Sequence, residues 1–395
     1  MTVFSTTELA ESRQILANAH PAITNKSVKE CFFPTAYSVW GEEEHAAIAR
    51  VLASGRLTMG PEVEAFEHEF AQWHGMKHAV MVNSGSSANL VAVAAMFHRQ
   101  DRPLKRGDKV VVPALAWATT YAPLVQHGLE LVVADCNDQW NVGQYHGEPA
   151  ISLQVVCSIL GNPAHFWGEA PWPIIEDNCE SIGAVDLKRR KCGTRGLMNT
   201  FSLFWSHQLS AVEGGVVLTS DDECAELCRM LRAHGWSRDV RKPASFCDEY
   251  DFHLMGYNLR PTEIYAAVAR EQLRKLPIFI EKRTANWKLF QTLVADLPVK
   301  LPVSNGTQSP FGLHFECMGW RGRNHLVHKL REAGIDCRLP TGGSFRRHRY
   351  GAPWADQPAP RADRIHDCGL FLGNGPLDLT PQIEKAVGVM REALT

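Results

Sequence analysis

His78-Ala79-Val80-Met81-Val82, followed directly by Asn83-Ser84-Gly85-Ser86-Ser87-Ala88-Asn89, is the stretch on which the reading of this sequence turns. The apolar run has the composition of a buried strand. The next seven residues are small and rich in hydroxyls, and they open a predicted helix over Ser87–His98. Where a strand turns straight into a helix, the first backbone N–H groups lack acceptors, and the helix dipole favours a negative group beside them. A phosphate fits that geometry. An ordinary turn with a serine cap has the same local sequence, so the neighbouring segments must decide.

Working outward, short β-rich runs alternate with helical stretches. The predicted strands are His78–Val82, Lys109–Pro113, Glu130–Asp135, Ile151–Val155, Pro173–Glu176, Thr200–Phe204 and Gly215–Thr219. Helices are predicted over Asp221–His234, Thr262–Leu276 and about Ile280–Leu293, with Asn324–Ala333 and Pro381–Leu394 further on. Alternation of this kind predicts an α/β fold with a mostly parallel central sheet, followed by a smaller α+β domain. The expected division is an N-terminal segment 1–35, a large domain 36–290 and a small C-terminal domain 291–395.

Composition narrows the function. The chain has 395 residues, 45% of them hydrophobic, with a formal charge of −2 and a pI near 6.8. That balance gives no electrostatic reason to expect a membrane surface, and it disfavours nucleic acid without excluding it. Met1 to His20 include Glu8 and Glu11 and no sustained apolar run, unlike a secretory or transit leader. No run approaches the roughly 18 apolar residues of a membrane span. A soluble, cytoplasmic protein is expected. Eleven scattered cysteines fit a reducing compartment, and Cys224 and Cys228, four apart, have no second pair to complete a metal site. No metal is expected.

Ile174-Ile175-Glu176-Asp177 ends another predicted strand, where ligands collect in open α/β sheets. A carboxylate at Asp177 would hold a pyridine nitrogen protonated, or would serve as an ordinary helix cap. The next segment is Phe201-Ser202-Leu203-Phe204-Trp205-Ser206-His207-Gln208-Leu209-Ser210-Ala211-Val212-Glu213-Gly214-Gly215. It resembles the DegT-like sugar aminotransferases, fold-type-I pyridoxal phosphate enzymes with a serine, a lysine five residues on, and then Glu-Gly-Gly. The resemblance extends from Gly55-Arg56-Leu57-Thr58-Met59-Gly60 to Phe371-Leu372-Gly373-Asn374.

The resemblance implies a site. Gly85, Ser86 and Ser202 would cradle the cofactor phosphate, Asp177 would pair with the pyridine nitrogen, and Glu180 would lie near the ring or its 3-hydroxyl. Trp117 matches the aromatic position that stacks on the ring, although a tryptophan considered alone is more often a core residue. Gly256-Tyr257-Asn258-Leu259-Arg260-Pro261 resembles the segment that crosses to a second subunit, so Asn258 and Arg260 are expected at a cofactor site shared across a homodimer.

At the lysine position this chain has His207, and no lysine occurs between Lys191 and Lys242. Imidazole forms no stable imine, so pyridoxal 5'-phosphate or pyridoxamine 5'-phosphate would be bound non-covalently, with His207 as general base. Within the family, the histidine resembles the lysine-lacking sugar 3-dehydratases acting on GDP-4-keto-6-deoxymannose. Glu176-Asp177-Asn178-Cys179-Glu180 and Arg338-Leu339-Pro340-Thr341-Gly342-Gly343-Ser344-Phe345 support that likeness. The implied activity is deoxygenation of a nucleotide-linked 4-keto-6-deoxy sugar, with glutamate as amino donor. Ser206-His207-Gln208 departs from the glycine-preceded His-His pair of that branch. A lysine-free decarboxylase, lyase or aminotransferase acting on a primary amine or other non-sugar substrate, modified nucleobases included, therefore stays open. So does a non-catalytic protein that has kept the fold.

Overall fold

The computed structural model describes residues 31–394 apart from 38, 143–149, 165–170, 239, 242, 243 and 305. Most of the expected N-terminal segment, including the stretch read for a leader, lies outside the described residues. Seven strands form the main sheet: β1 (His78–Val82), β2 (Lys109–Pro113), β3 (Glu130–Ala134), β4 (Ile151–Cys157), β5 (Ile174–Asp177), β6 (Met198–Ser202) and β7 (Gly215–Thr219). Their order is β1-β7-β6-β5-β4-β2-β3. β7 runs antiparallel to both neighbours, and every other pairing is parallel. Val110, Val111 and Val112 of β2 are fully buried, as expected of a parallel strand covered on both faces.

Six helices flank this sheet: α1 (Glu42–Ser54), α2 (Pro61–His74), α3 (Gly85–Met96), α4 (Ala118–Gln126), α5 (Asp222–Arg232) and α6 (Glu263–Leu293). α3 is apolar almost all round, which suits a helix enclosed by others, and its alanines let it lie close against β6 and β7. α6 is continuous where two helices were expected. Pro277 removes one helical hydrogen bond at a cost of ~3 kcal/mol. The neighbouring Leu276, Ile278, Phe279 and Ile280 are all buried, and fully burying each apolar side chain contributes roughly 1.5–3 kcal/mol, so packing outweighs the break.

The C-terminal lobe contains β8 (Val299–Lys300), β9 (Leu313–Cys317), β10 (Cys337–Arg338) and β11 (Gly369–Leu372), paired antiparallel in the order β10-β11-β9-β8. α7 (Trp320–Glu332), α8 (Pro360–Cys368) and α9 (Thr380–Leu394) complete it. Leu326, Leu330, Leu372 and Ile383 share a core with Trp287 and Phe290 of α6. Phe33 is buried in that same core, and its backbone bridges to Ile335, so the described end of the N-terminal segment packs on this lobe. β6 begins and ends two residues earlier than predicted. Ser202 pairs with Gly215, and the chain turns away once Leu203 N–H reaches Gly214 O at 2.9 Å. Among the described residues, no helix is long and apolar enough to cross a membrane, and no cluster of three or more His, Cys, Asp or Glu is placed to hold a metal.

The back of the sheet carries a fully buried ion pair. Arg195 donates from Nε to Glu176 Oε1 at 3.0 Å, from Nη1 to Ala164 O at 2.7 Å and from Nη2 to Ser158 Oγ at 3.2 Å. Removing only the cation would leave the Glu176 charge desolvated. Arg195→Met is expected to lose about 3–5 kcal/mol of stability in chemical denaturation, and adding Glu176→Gln is expected to restore part of that loss.

Candidate active site

Cys157, Asp177 and Ser202 end β4, β5 and β6, and all three open onto one cavity of about 550 Å³. The carboxyl ends of parallel strands thus meet the start of α3, the start of α4 and a turn of the C-terminal lobe. On one wall, α3 begins at Gly85. Ser84 caps it by accepting from Ser87 N–H at 3.1 Å, which leaves Gly85 and Ser86 N–H without intrahelical acceptors. Ser86 Oγ hydrogen-bonds Thr119 Oγ1 at 2.8 Å. A Cβ added at Gly85 would lie 2.6 Å from Ser202 Cβ and 3.0 Å from Cys179 Sγ, so only glycine lets the backbone line this corner. These groups make an anion cradle.

Asp177 is buried and held by three donors: Asn89 Nδ2 at 2.9 Å, Thr120 Oγ1 at 2.8 Å and its neighbour Cys179 N–H at 3.1 Å. Thr200 in turn donates to Asn89 Oδ1 at 2.6 Å and fixes the amide orientation. Trp117, the N-cap residue of α4, is 59% exposed and faces the cavity, so it is not a core residue. Gly342 closes the space beyond it, and a Cβ added there would lie 3.7 Å from the indole. Glu180 accepts from Leu160 N–H at 2.8 Å. Burial pushes its carboxyl up to about 7, opposed by that hydrogen bond and helped by Asp177.

His207 lies on the loop between β6 and β7, where its N–H closes a turn onto Phe204 O at 2.9 Å. Its ring packs between Phe204 and Phe311, with centroids at 5.9 and 5.1 Å. Burial lowers the imidazole to about 3, and the Arg283 guanidinium adds to the effect. Arg283 is itself buried. It donates to Phe311 O and Asn374 O, both at 3.1 Å, and to His207 O at 3.5 Å. Nδ1 of His207 is buried with no hydrogen-bond partner among the described residues. Among the described residues, no lysine lines the cavity.

Seven of the residues read from the sequence meet here: Gly85, Ser86, Trp117, Asp177, Glu180, Ser202 and His207. Asn258 and Arg260 do not line the cavity. Arg260 Nε donates to Asn258 Oδ1 at 3.1 Å on the surface, and the role expected for them is at a second copy's site. Asn89, Thr120, Glu213 and Arg338 were not singled out in the sequence, although all four line the cavity. The spacing Gly85 to Asn89, one helical turn, was the available signal for Asn89. Gln208, the departure beside His207, is buried and turned elsewhere. Its amide donates to Glu180 O at 2.7 Å and Ser309 O at 3.0 Å, joining the cavity wall to the segment leading to Phe311.

An anion cradle, a carboxylate fixed by three donors and an exposed indole across one cavity fit pyridoxal phosphate. On this sheet they define a fold-type-I vitamin B6 enzyme with His207, and no described lysine, at its cavity. The chain belongs to the DegT/DnrJ/EryC1/StrS aminotransferase family, whose sequence profile matches residues 39–376. It is 38% identical over 387 residues to a GDP-4-keto-6-deoxy-D-mannose 3-dehydratase of Yersinia pseudotuberculosis, covering 91% of this chain and 98% of that protein. A crystal structure of GDP-4-keto-6-deoxymannose-3-dehydratase, a histidine-to-asparagine mutant with bound GDP-perosamine, matches with a TM-score of 0.87 at 36% identity, over 91% of this chain and all (100%) of that one. Another, with a trapped PLP-glutamate geminal diamine, matches at 0.86 and 35% identity over the same shares of 91% and 100%.

The raised Glu180 carboxyl makes stability depend on pH. Its contribution is fully present below the unfolded value near 4.5 and is lost as pH rises through about 7. Glu180→Gln keeps an acceptor for Leu160 N–H and carries no charge. The cofactor-free variant is expected to gain on the parent as pH rises from 4.5 to 8, by up to about 3 kcal/mol, read from denaturation midpoints at each pH.

Proposed function

We propose that this chain is a 3-dehydratase of a nucleotide-linked 4-keto-6-deoxy sugar, GDP-linked in the first instance. Its cofactor would be pyridoxal or pyridoxamine phosphate held without a covalent bond, and glutamate its amino donor. The observation that carries this reading is His207, packed against Phe311 at the wall of a cavity that no described lysine lines. The relatives named for this reaction, one with bound GDP-perosamine and one with a PLP-glutamate adduct, support it.

When bound, the cofactor supplies an electron sink for breaking a bond next to the sugar ketone. Gly85, Ser86 and Ser202 would hold its phosphate, and Asp177 its pyridine nitrogen. Trp117 would stack on the ring, and Glu180 would face the ring or its 3-hydroxyl. His207 enters with a free lone pair at neutral pH, so it takes a proton without first losing one, and it returns that proton later in the cycle. The apolar rings of Phe204 and Phe311 pack against it and hold its position. A lysine in its place would capture the aldehyde. We assign Asn258 and Arg260 to the neighbouring copy's cofactor site in a homodimer, and the cytoplasm as the compartment.

Incubation of the protein with pyridoxal phosphate, glutamate and GDP-4-keto-6-deoxymannose is expected to give a sugar lighter by one oxygen in mass analysis. His207→Asn is expected to slow this by about 10²–10⁴-fold. A sugar that gains an amino group instead would falsify the dehydratase reading. His207→Lys is expected to yield a cofactor adduct that borohydride reduces, whereas the parent yields none.

A further inference from the structure

Arg283 of α6 is a cation that no acid meets. It is 1% exposed, and among the described residues its partners are carbonyl oxygens alone. Nη1 donates to Phe311 O and Asn374 O, both at 3.1 Å, and Nη2 makes a longer contact with His207 O at 3.5 Å. Nε is buried and has no hydrogen-bond partner among the described residues. Burial pulls the guanidinium down to about 10, so it still carries its charge at neutral pH. Burying a cation without an acid is costly, and a neutral amide could bond the same carbonyls. The charge therefore calls for a role beyond joining segments of the chain.

The three carbonyls lie far apart in sequence. His207 is on the β6–β7 loop, Phe311 precedes β9, and Asn374 follows β11. Asn374 reinforces the junction: its Nδ2 donates to Arg283 O at 3.0 Å and Pro310 O at 3.2 Å, and its Oδ1 accepts from Asn286 Nδ2 at 3.1 Å. The guanidinium thus ties the main chain of His207 to the main chain of Phe311, and the two rings lie 5.1 Å apart. Nδ1 of the imidazole has no hydrogen bond among the described residues to orient it, so the backbone beneath the ring and the contact with Phe311 must do so. From this geometry we infer that Arg283 is a positioning residue for His207, holding the imidazole against Phe311 at the cavity wall without lining the cavity itself. The inference rests on the proposed dehydratase reading, in which His207 moves the proton. Asp177, Glu180, Glu213 and Arg338 line the cavity with His207, but the charged group that opposes its protonation is Arg283. Removing that charge raises the affinity of the imidazole for a proton.

The test uses Arg283→Gln, which keeps an amide donor and removes the charge, and Arg283→Lys, which keeps the charge and loses the planar fork. Chemical denaturation identifies the variants that fold, and if Arg283→Gln does not, Arg283→Lys decides by the same criteria. Two half-reactions of the loaded enzyme are followed: conversion of the pyridoxal phosphate form by L-glutamate, and one turnover of GDP-4-keto-6-deoxymannose by the pyridoxamine phosphate form. Arg283→Gln is expected to lower the saturated rate of both by about 10- to 100-fold and to leave KM within about threefold, since a misplaced proton-transfer group costs turnover and not binding. Arg283→Lys should lose about 3- to 10-fold. In a His207→Asn background either substitution should cost less than about threefold more, because the ring through which Arg283 acts is already gone. A non-catalytic arm follows the His207 Cε1–H resonance of the cofactor-free protein, assigned by its absence from His207→Asn. That signal should shift in both variants as the ring moves relative to Phe311, and its titration midpoint should rise by about one pH unit in Arg283→Gln alone. A loss that adds in full to that of His207→Asn, a raised KM with the saturated rate intact, unchanged rates in a folded variant, or a His207 resonance that stays where the parent has it would each overturn the assignment. A parent that leaves the sugar its oxygen, with the His207 resonance still moving in both variants, would sink the dehydratase reading and leave Arg283 in place.

Discussion

The start of α3 and the end of β6 meet at a point where neither has room for another atom. A Cβ at Gly85 would come within 2.6 Å of Ser202 Cβ, well inside van der Waals contact, so the helix seats on the sheet only through bare backbone. Much of the site depends on that seating. It points the unpaired N–H groups of the first turn into the cavity. It also sets Asn89, one turn along the same helix face, against Thr200 and Asp177. The anion cradle and the group that orients the Asp177 carboxylate are therefore two points on one rigid rod.

Two carboxyl groups three residues apart meet different fates because of their surroundings. Asp177 accepts from three donors, while Glu180 accepts from Leu160 N–H and is desolvated. The same backbone around Leu160 also receives Phe311 N–H at 3.1 Å, and the Phe311 ring lies against His207. Gln208 closes the circuit from Glu180 O to Ser309 O. His207 and Glu180 are thus braced by one short network that spans the two halves of the chain.

Much of this was legible in the sequence wherever a property is local. β1, β2 and β7 occupy the predicted residues, because apolar β-prone runs bounded by turn residues leave little choice of register. The hydroxyl-rich turn after β1 and the histidine in place of lysine carried the site. What was not legible depends on contacts far apart in the chain. Ser202 ends β6 because Gly215 is its last partner, which no local pattern of Thr200–Phe204 reveals. Pro277 reads as a break, yet tertiary burial overrides it. Thr120 and Arg338 reach the cavity from elements widely separated from Asp177, and Gln208, which looked like a change in substrate contact, proves to be scaffold. Asn258 and Arg260 lie outside the cavity, so the role expected for them is not visible within one copy.

Arg283 carries a further consequence. It is a buried cation on α6 whose described partners are carbonyl oxygens of three segments, without a carboxylate among them. Its charge reaches His207 through protein and not through solvent. Mobile ions screen charges across water over about 8–10 Å at ordinary ionic strength, and they screen buried ones far less. The share of the lowered His207 proton affinity that comes from Arg283 is therefore screened little by salt.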